Sequence, residues 1–240
     1  MNHDRRPYYL KRLYYKLQDK YVEHFLRPQF TSLGKGYHFI RPWNVEIFGS
    51  PIIIGDFAHI VCAADKKIKF VIWSEAKGRG KITIGNYCLV SPGVRITSAS
   101  GIKIGDNCMI ANGAYISDAD WHGIYDRLKT VGDSDPVELK NNVWIGDSAI
   151  VCKGVTIGEN SIIGAGSVVA KDIPDNCVAV GNPAKVVKEL DPDIEIVKRE
   201  KLFENPRELK RYMDNFDRSF LKGNSTLGWL RSILFPKAGD

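Results

Sequence analysis

Branched aliphatic residues recur every six positions through the middle of this chain, and few architectures tolerate that period. One stretch sets Ile54 six residues before Ile60, another runs Ile84, Val90, Ile96, and a third Ile104, Ile110, Ile116. The longest runs Ile145, Val151, Ile157, Ile163, Val169. The next position is mostly Gly or another small residue, as at Gly146, Gly158 and Gly164, and the position four on is mostly Ala, Cys, Val or Ser. Such a period smears apolar side chains around a helix of about 3.6 residues per turn, and the density of Gly and β-branched residues disfavours helix further. A parallel β-helix accommodates it. Each hexapeptide forms a short strand and a turn, three of them make a triangular coil, and the Ile or Val side chains stack inward on their equivalents. Small residues fit the corners. Cys88 and Cys108 stand four residues after a repeat position and Cys152 one after, so these thiols read as small buried groups. No CxxC pair or even disulfide framework exists among the five cysteines.

The beat stops after Ile116 and resumes at Ile145. The interruption, SDADWHGIYDRLKTVGDSDPVELKNNVW, is longer than most unstructured connections, and insertions of this kind in a solenoid tend to build its working face. It holds His122, with Asp118 and Asp120 just before it, Trp121 beside it, and Tyr125, Asp126 and Arg127 after it.

The stretch DADWHGIYDR, followed by PVELKNNVWIGDSAIVCKGVTIGENSIIGAGSVVAKDIPDNCVAVGNPAKVVKEL, resembles the hexapeptide-repeat acyltransferases, in particular the branch of maltose, galactoside and nodulation-factor O-acetyltransferases. The resemblance covers about residues 45–190. In that branch a loop histidine precedes an NNVWIG coil, and the chain leaves the solenoid through a G-N-P-A segment. The resemblance implies a mainly β fold, a left-handed parallel β-helix, and a homotrimer with active sites at the subunit interfaces. It also implies acetyl-CoA as co-substrate, a carbohydrate acceptor and no metal. By motif position His122 matches the catalytic histidine, a general base that takes the proton of an acceptor hydroxyl as its oxygen attacks the thioester. An imidazole suits this role because its unperturbed pKa lies near 6.5. Asp120 or Asp118 is the local candidate for a carboxylate that orients the ring; the plain alternative for His122 is a solvated loop histidine.

The same resemblance carries over a cofactor groove. Trp144 matches a tryptophan that walls the pantetheine channel, and ordinary corner packing is compatible with that role. Asp147 falls where the branch commonly has a serine, a departure that puts a side-chain contact there in doubt. Ala165 matches a backbone contact to pantetheine. Ala170 and Lys171 stand where the branch has Thr-Lys, so the lysine carries over and the hydroxyl is lost. Lys185 and Lys188 replace two basic residues, usually arginines, near the nucleotide phosphates; lysine neutralises phosphate as a point charge but forgoes bidentate geometry. The asparagine used by sugar acetylases of the branch aligns near Gly93, so the acceptor pocket differs, and polysaccharide or lipid-linked glycan acceptors are favoured over free disaccharides.

Charge separates the ends from the middle. The net charge of +6 over 240 residues suggests nucleic-acid binding at first sight. Residues 1–44 hold nine Lys and Arg against three Asp and Glu, whereas residues 45–184 hold thirteen against fifteen. A nucleic-acid-binding core carries its positive stripe on the fold itself, so that class is set aside. Residues 8–26 place Leu10, Leu13, Tyr14, Leu17, Tyr21 and Phe25 at helical spacing with Lys and Arg between them, an amphipathic basic helix that Pro28 closes. Two readings stand for it: a cap over the open end of the solenoid, or contact with an anionic membrane at its cytoplasmic face. Residues 193–221 and 227–237 read as C-terminal helices, with Trp229 and Phe235 able to meet a lipid interface. The N-terminus lacks the apolar core of a signal peptide, so a cytoplasmic location is expected. The domains expected are therefore 1–44, an amphipathic helix and lead-in; 45–190, the β-helix with its loop at 117–142; and 191–240, a helical extension.

Other functions remain open on the same solenoid. One is N-acetyl transfer to an amino sugar, since a loop histidine can serve either nucleophile. Another is a zinc protein like the γ-carbonic anhydrases, which expects three histidines on facing coils; this chain offers only His59 and His122 near the repeats. A third is a non-catalytic scaffold. No GxGxxG or GxxxxGK[ST] phosphate loop is present, because GAGSVV at 164–169 stays within the hexapeptide beat.

Overall fold

The computed structural model describes residues 4–73 and 80–237. Tyr21–Glu200 form one compact unit, and Met1–Lys20 with Lys201–Asp240 form another. In the larger unit the chain winds through three sheets in turn. The first stacks strands at 32–33, 52–54, 82–84, 102–104, 137–139 and 156–157. The second stacks 38–40, 59–61, 89–90, 109–110, 144–145, 162–163, 177–180 and 185–189, and the third 45–48, 68–72, 95–98, 115–117, 150–151 and 168–169. Neighbouring strands are parallel and in register, with Ile54 opposite Ile84, Ile84 opposite Ile104, and Ile104 opposite Leu139. The last pair differs: 177–180 and 185–189 run antiparallel and end the second sheet. The repeat positions are buried, and so are the small residues four positions on, including Ala58, Cys88, Val94, Cys108, Ala114 and Ala149.

The solenoid begins earlier and resumes sooner than the Ile/Val beat suggests. Leu33, Phe39 and Val45 are six apart and buried, so the first coil starts at 32 rather than 45. Its corner glycine, Gly34 after Leu33, is in place, and the signature is masked because Leu33 and Phe39 stand where later coils have Ile or Val. After the loop, the strand at 137–139 already pairs with 102–104, placing Leu139 six residues before Ile145. The inserted segment is thus shorter at both ends than 117–142.

The Ile-Gly-Asp/Asn signature has a physical cause at the corner between the first and second sheets. The backbone N–H of Lys35 donates to Asp56 Oδ1 (2.9 Å), that of Asp56 to Asn86 Oδ1 (2.8 Å), that of Asn86 to Asp106 Oδ1 (2.6 Å), and that of Asp106 to Asn141 Oδ1 (2.9 Å). Each coil therefore satisfies its corner amide with a side chain of the next. Glycine must precede, because a Cβ on Gly55 would lie 2.7 Å from Asn86 Oδ1 and one on Gly105 2.6 Å from Asn141 Oδ1. The corner then closes through a left-handed residue: Phe57, Tyr87, Asn107, Asn142, Asn160 and Asn176 all have φ between 55 and 63°, a region Asn tolerates best among non-glycine residues.

Val22, Leu26 and Phe30 close the N-terminal end of the larger unit. All three are buried in its core, and the Phe30 ring lies 6.5 Å from Phe39 and 6.3 Å from Phe70. At the other end, residues expected to be helical from 193 instead follow the solenoid surface. Lys198 pairs with Glu159 (3.0 Å), Arg199 Nε donates to the Tyr87 carbonyl (2.8 Å), and the Glu200 N–H donates to Asn107 Oδ1 (2.8 Å). A short 3-10 helix covers Arg199–Phe203, and α-helix starts only where Asn205 caps it, accepting from the Glu208 N–H, with Pro206 in the first turn.

The second unit contains helix α1 (Tyr8–Tyr21) up to Lys20, together with α2 (Pro206–Phe220) and α3 (Thr226–Leu234). Within it the Tyr8 hydroxyl donates to Asp214, Lys11 pairs with Asp217 at 2.8 Å, and the Arg218 guanidinium sits 4.3 Å over the Tyr8 ring.

Candidate active site

The interrupting loop leaves the third sheet after Ser117 and is held by its own stem. The Asp120 N–H donates to the Asp133 carbonyl (2.9 Å), Gly132 N–H to the Asp120 carbonyl (2.7 Å), and Asp135 N–H to the Asp118 carbonyl (2.9 Å). Gly132 is needed for this approach, since a Cβ there would run into the His122 carbonyl. Asp118 anchors the base. Its carboxylate is fully buried and accepts from Ser98 Oγ (2.7 Å) and from the N–H groups of Ala99 (2.6 Å), Ser100 (3.0 Å) and Gly101 (2.6 Å). Trp121 is tied to the sheet, its indole N–H donating to the Tyr115 hydroxyl at 3.1 Å.

These elements enclose a pocket of about 530 Å³ lined by Trp73, Thr97, Tyr115, Trp121, His122, Thr130 and Val131. Phe48 stacks behind Trp73 at 4.7 Å, and the Arg95 guanidinium lies 4.3 Å over the Tyr115 ring. Three aromatic walls beside a solvent-exposed imidazole can hold the apolar face of a ring-shaped ligand while the histidine exchanges a proton with it.

The carboxylate expected to orient His122 does not do so. Asp120 is engaged by the Lys153 ammonium of the following coil at 2.5 Å, and Asp118 is turned into the base of the loop. Among the described residues neither carboxylate hydrogen-bonds to His122. A carboxylate gains more from a full ammonium charge than from a neutral ring, and Lys153 lies within reach of Asp120. The thiol beside this pair, Cys152, is pushed up by burial and then by the Asp120 charge, which keeps it protonated and supports its structural reading. Burial likewise pushes Cys62 up to about 12. Among the described residues no three His, Cys, Asp or Glu side chains gather as metal ligands.

The residues matched to a cofactor groove fall in two sets. Trp144 is exposed on the second sheet, opposite Met109 on one side and Ile162 on the other. The same outward row continues through Val178 to Lys188, three strand spacings or about 14 Å from Trp144, with Lys185 exposed on the same closing strand. An apolar row ending in ammonium groups fits a pantetheine arm followed by phosphates. Asp147 and Ala165 meet at the next corner, where the Asp147 carbonyl accepts from the Gly166 N–H (2.7 Å) and the Ala165 backbone packs on Gly146. The Asp147 carboxylate accepts from the Ser148 hydroxyl (2.6 Å). Ala170 and Lys171 are exposed beyond the third sheet, on a different face from Trp144. One chain therefore does not gather all seven on one face. Gly93 lies at a corner with φ +76° beside Lys66, whose ammonium donates to Asn112 Oδ1 (2.9 Å).

Trp73, Thr97, Tyr115 and Lys153 belong to this region without having been singled out by the sequence. A signal did exist for Tyr115. It immediately precedes a repeat position, as Trp144 precedes Ile145, and that position faces outward, so a bulky aromatic there is not core.

Residues 136–171 match the family model described as bacterial transferase hexapeptide (six repeats), and residues 81–118 match the hexapeptide repeat of succinyl-transferase. The galactoside O-acetyltransferase of Escherichia coli (strain K12) is 41% identical over 112 residues, which are 46% of this chain and 45% of that protein. A maltose O-acetyltransferase from Clostridium difficile 630 is 33% identical over 76% of this chain and 83% of its own, with a TM-score of 0.40. The chain belongs to the hexapeptide-repeat acyltransferase family. Its fold is that family's left-handed parallel β-helix. The N-acyltransferase AntD from Bacillus cereus, solved with dTDP and 3-hydroxybutyryl-CoA, shares the fold at 22% identity, covering 80% of this chain and 96% of its own with a TM-score of 0.57. The chain spans less than half the length of the E. coli relative.

Proposed function

We propose that this hexapeptide-repeat protein transfers an acetyl group from acetyl-CoA to a hydroxyl of a carbohydrate in glycan biosynthesis. The observation that carries the reading is the position of His122 in a pocket walled by Trp73, Tyr115 and Trp121. Aromatic faces suit the C–H face of a pyranose ring, and the His122 imidazole lines the same pocket. His122 takes the proton as the hydroxyl oxygen bonds to the acetyl carbonyl carbon, and returns it to the thiolate as the carbon–sulfur bond breaks. Trp144 with its apolar row would hold the pantetheine arm, and Lys185, Lys188 and Lys171 would meet phosphates. Because those groups occupy different faces of one chain, the reading includes a homotrimer in which one subunit's second sheet faces a neighbour's third-sheet corner.

The test is acetyl transfer from labelled acetyl-CoA to a panel of free, nucleotide-linked and polymeric sugars, with coenzyme A binding followed by calorimetry. His122→Ala is expected to lose about 10² to 10⁴ in turnover while still binding coenzyme A. Transfer by His122→Ala at the wild-type rate would remove the base, and absence of coenzyme A binding would favour a scaffold. Cleavage of the product by hydroxylamine separates an ester from the amide that an amino-sugar acceptor, the class of AntD's chemistry, would give.

A further inference from the structure

The helices of the terminal unit turn their apolar stripes outward. On α3, Leu227 and Leu234 are 80% and 66% exposed and Leu230 and Ile233 also face solvent, while Gly228, Trp229, Arg231 and Ser232 are half-buried. On α1, Tyr9, Leu13 and Leu17 are exposed at four-residue spacing, and Arg12 and Lys16 precede Leu13 and Leu17 by one position, with Lys20 continuing that row. On α2, Tyr212, Phe216 and Phe220 repeat the pattern. A helix of a globular unit ordinarily buries this stripe, and an exposed apolar surface of this extent marks an interaction site.

Charge identifies the occupant. Residues 1–20 and 201–240 carry fourteen Lys and Arg against seven Asp and Glu, whereas residues 21–200 carry twenty against twenty-one. The whole cationic excess of the protein belongs to this unit. Several of its carboxylates are consumed internally: Asp4 by Arg6, Asp214 by Arg218, and Asp217 by Lys11. Lys16, Lys20, Lys210 and Lys222 form no ion pair among the described residues. Unpaired ammonium groups edging apolar stripes repel a second copy of themselves, and lysine is depleted in protein interfaces. They complement an anionic bilayer, where leucines enter the acyl boundary and lysines meet head-group phosphates. Among the described residues no helix is long and apolar enough to cross a membrane, so the contact is peripheral.

We infer that the terminal helical unit docks on an anionic lipid surface, with Leu227, Leu230 and Leu234 inserted and Lys16 and Lys20 on head groups. Co-sedimentation of the full chain with phosphatidylcholine vesicles, and with vesicles containing one third phosphatidylglycerol, tests this. Binding is expected only to the anionic vesicles and is expected to fall with salt. Lys16→Ala with Lys20→Ala, both exposed and unpaired, is expected to weaken it about thirty-fold, and Leu227→Asp with Leu230→Asp to abolish it. No binding to anionic vesicles, or equal binding to both kinds, overturns the proposal. A wild-type chain that ignores vesicles but whose assembly mass by light scattering falls in the leucine variant would make the face a contact between copies instead. His122→Ala is expected to bind vesicles like the wild type, so this test stands apart from the acetyl-transfer reading.

Discussion

The Trp121 indole donates to the Tyr115 hydroxyl at 3.1 Å, which joins the inserted loop to the third sheet one residue before His122. Tyr115→Phe removes only that acceptor and keeps the aromatic wall. A hydrogen bond of this kind contributes about 1 kcal/mol, so a rise of roughly two- to tenfold in the acceptor KM is expected with the KM for acetyl-CoA unchanged. Steady-state kinetics with both substrates varied checks this. Equal effects on both constants would mean that the bond supports the fold at large and not the acceptor wall.

Asp118 is the structural keystone of the loop. Its buried carboxylate answers four donors from residues 98–101, so Asp118→Ala leaves three backbone N–H groups and a hydroxyl without their acceptor. Leaving a buried donor without its acceptor costs about 1–3 kcal/mol. Urea unfolding is expected to show a midpoint lowered to match, with Asp118→Asn intermediate because the amide keeps one acceptor oxygen. A variant as stable as the wild type would show that the carboxylate is dispensable to the turn.

Asp120 and Lys153 form a partly exposed pair, worth under about 1 kcal/mol in stability. Their use is to hold the loop beside the pocket. Asp120→Asn and Lys153→Met are therefore expected to lower turnover by similar small factors, with the double variant no worse than either. If Asp120→Asn alone lowered kcat and shifted its pH profile, Asp120 would be acting on His122 directly.

What the sequence made legible follows from how local each cause is. The hexapeptide beat is a repeated packing constraint, written at Ile54, Ile84, Ile104 and their successors, and it specifies coil, corner and core together. Leu33, Phe39 and Val45 obey the same spacing, and Gly34 follows Leu33, but leucine and phenylalanine stand where the later coils carry β-branched residues. His122 stood out by its setting in the interruption. Trp73 and Lys153 did not, because they reach the pocket and the loop from other coils, and stacking distance is invisible along the chain. The pairing of Asp120 failed for the same reason: a sequence neighbour was preferred to a cation one coil away.

His59 supplies a pH dependence away from the pocket. Its Nε2 is buried without a partner, and its ring lies 5.1 Å from that of His38. Burial first, then the neighbouring His38 and Arg199, hold its pKa down to about 4 from 6.5. In the unfolded chain the ring takes up a proton as pH falls below 6.5, while in the folded protein it stays neutral until about 4. The unfolded state then binds more protons, so stability is lost on acidification through that window and is unaffected by this group above it. The slope is at most about 1.4 kcal/mol per pH unit. Urea unfolding of wild type and His59→Gln at several pH values between 7 and 4 measures it. The wild type is expected to lose stability more steeply than the variant, and parallel curves would assign the acid sensitivity to other groups.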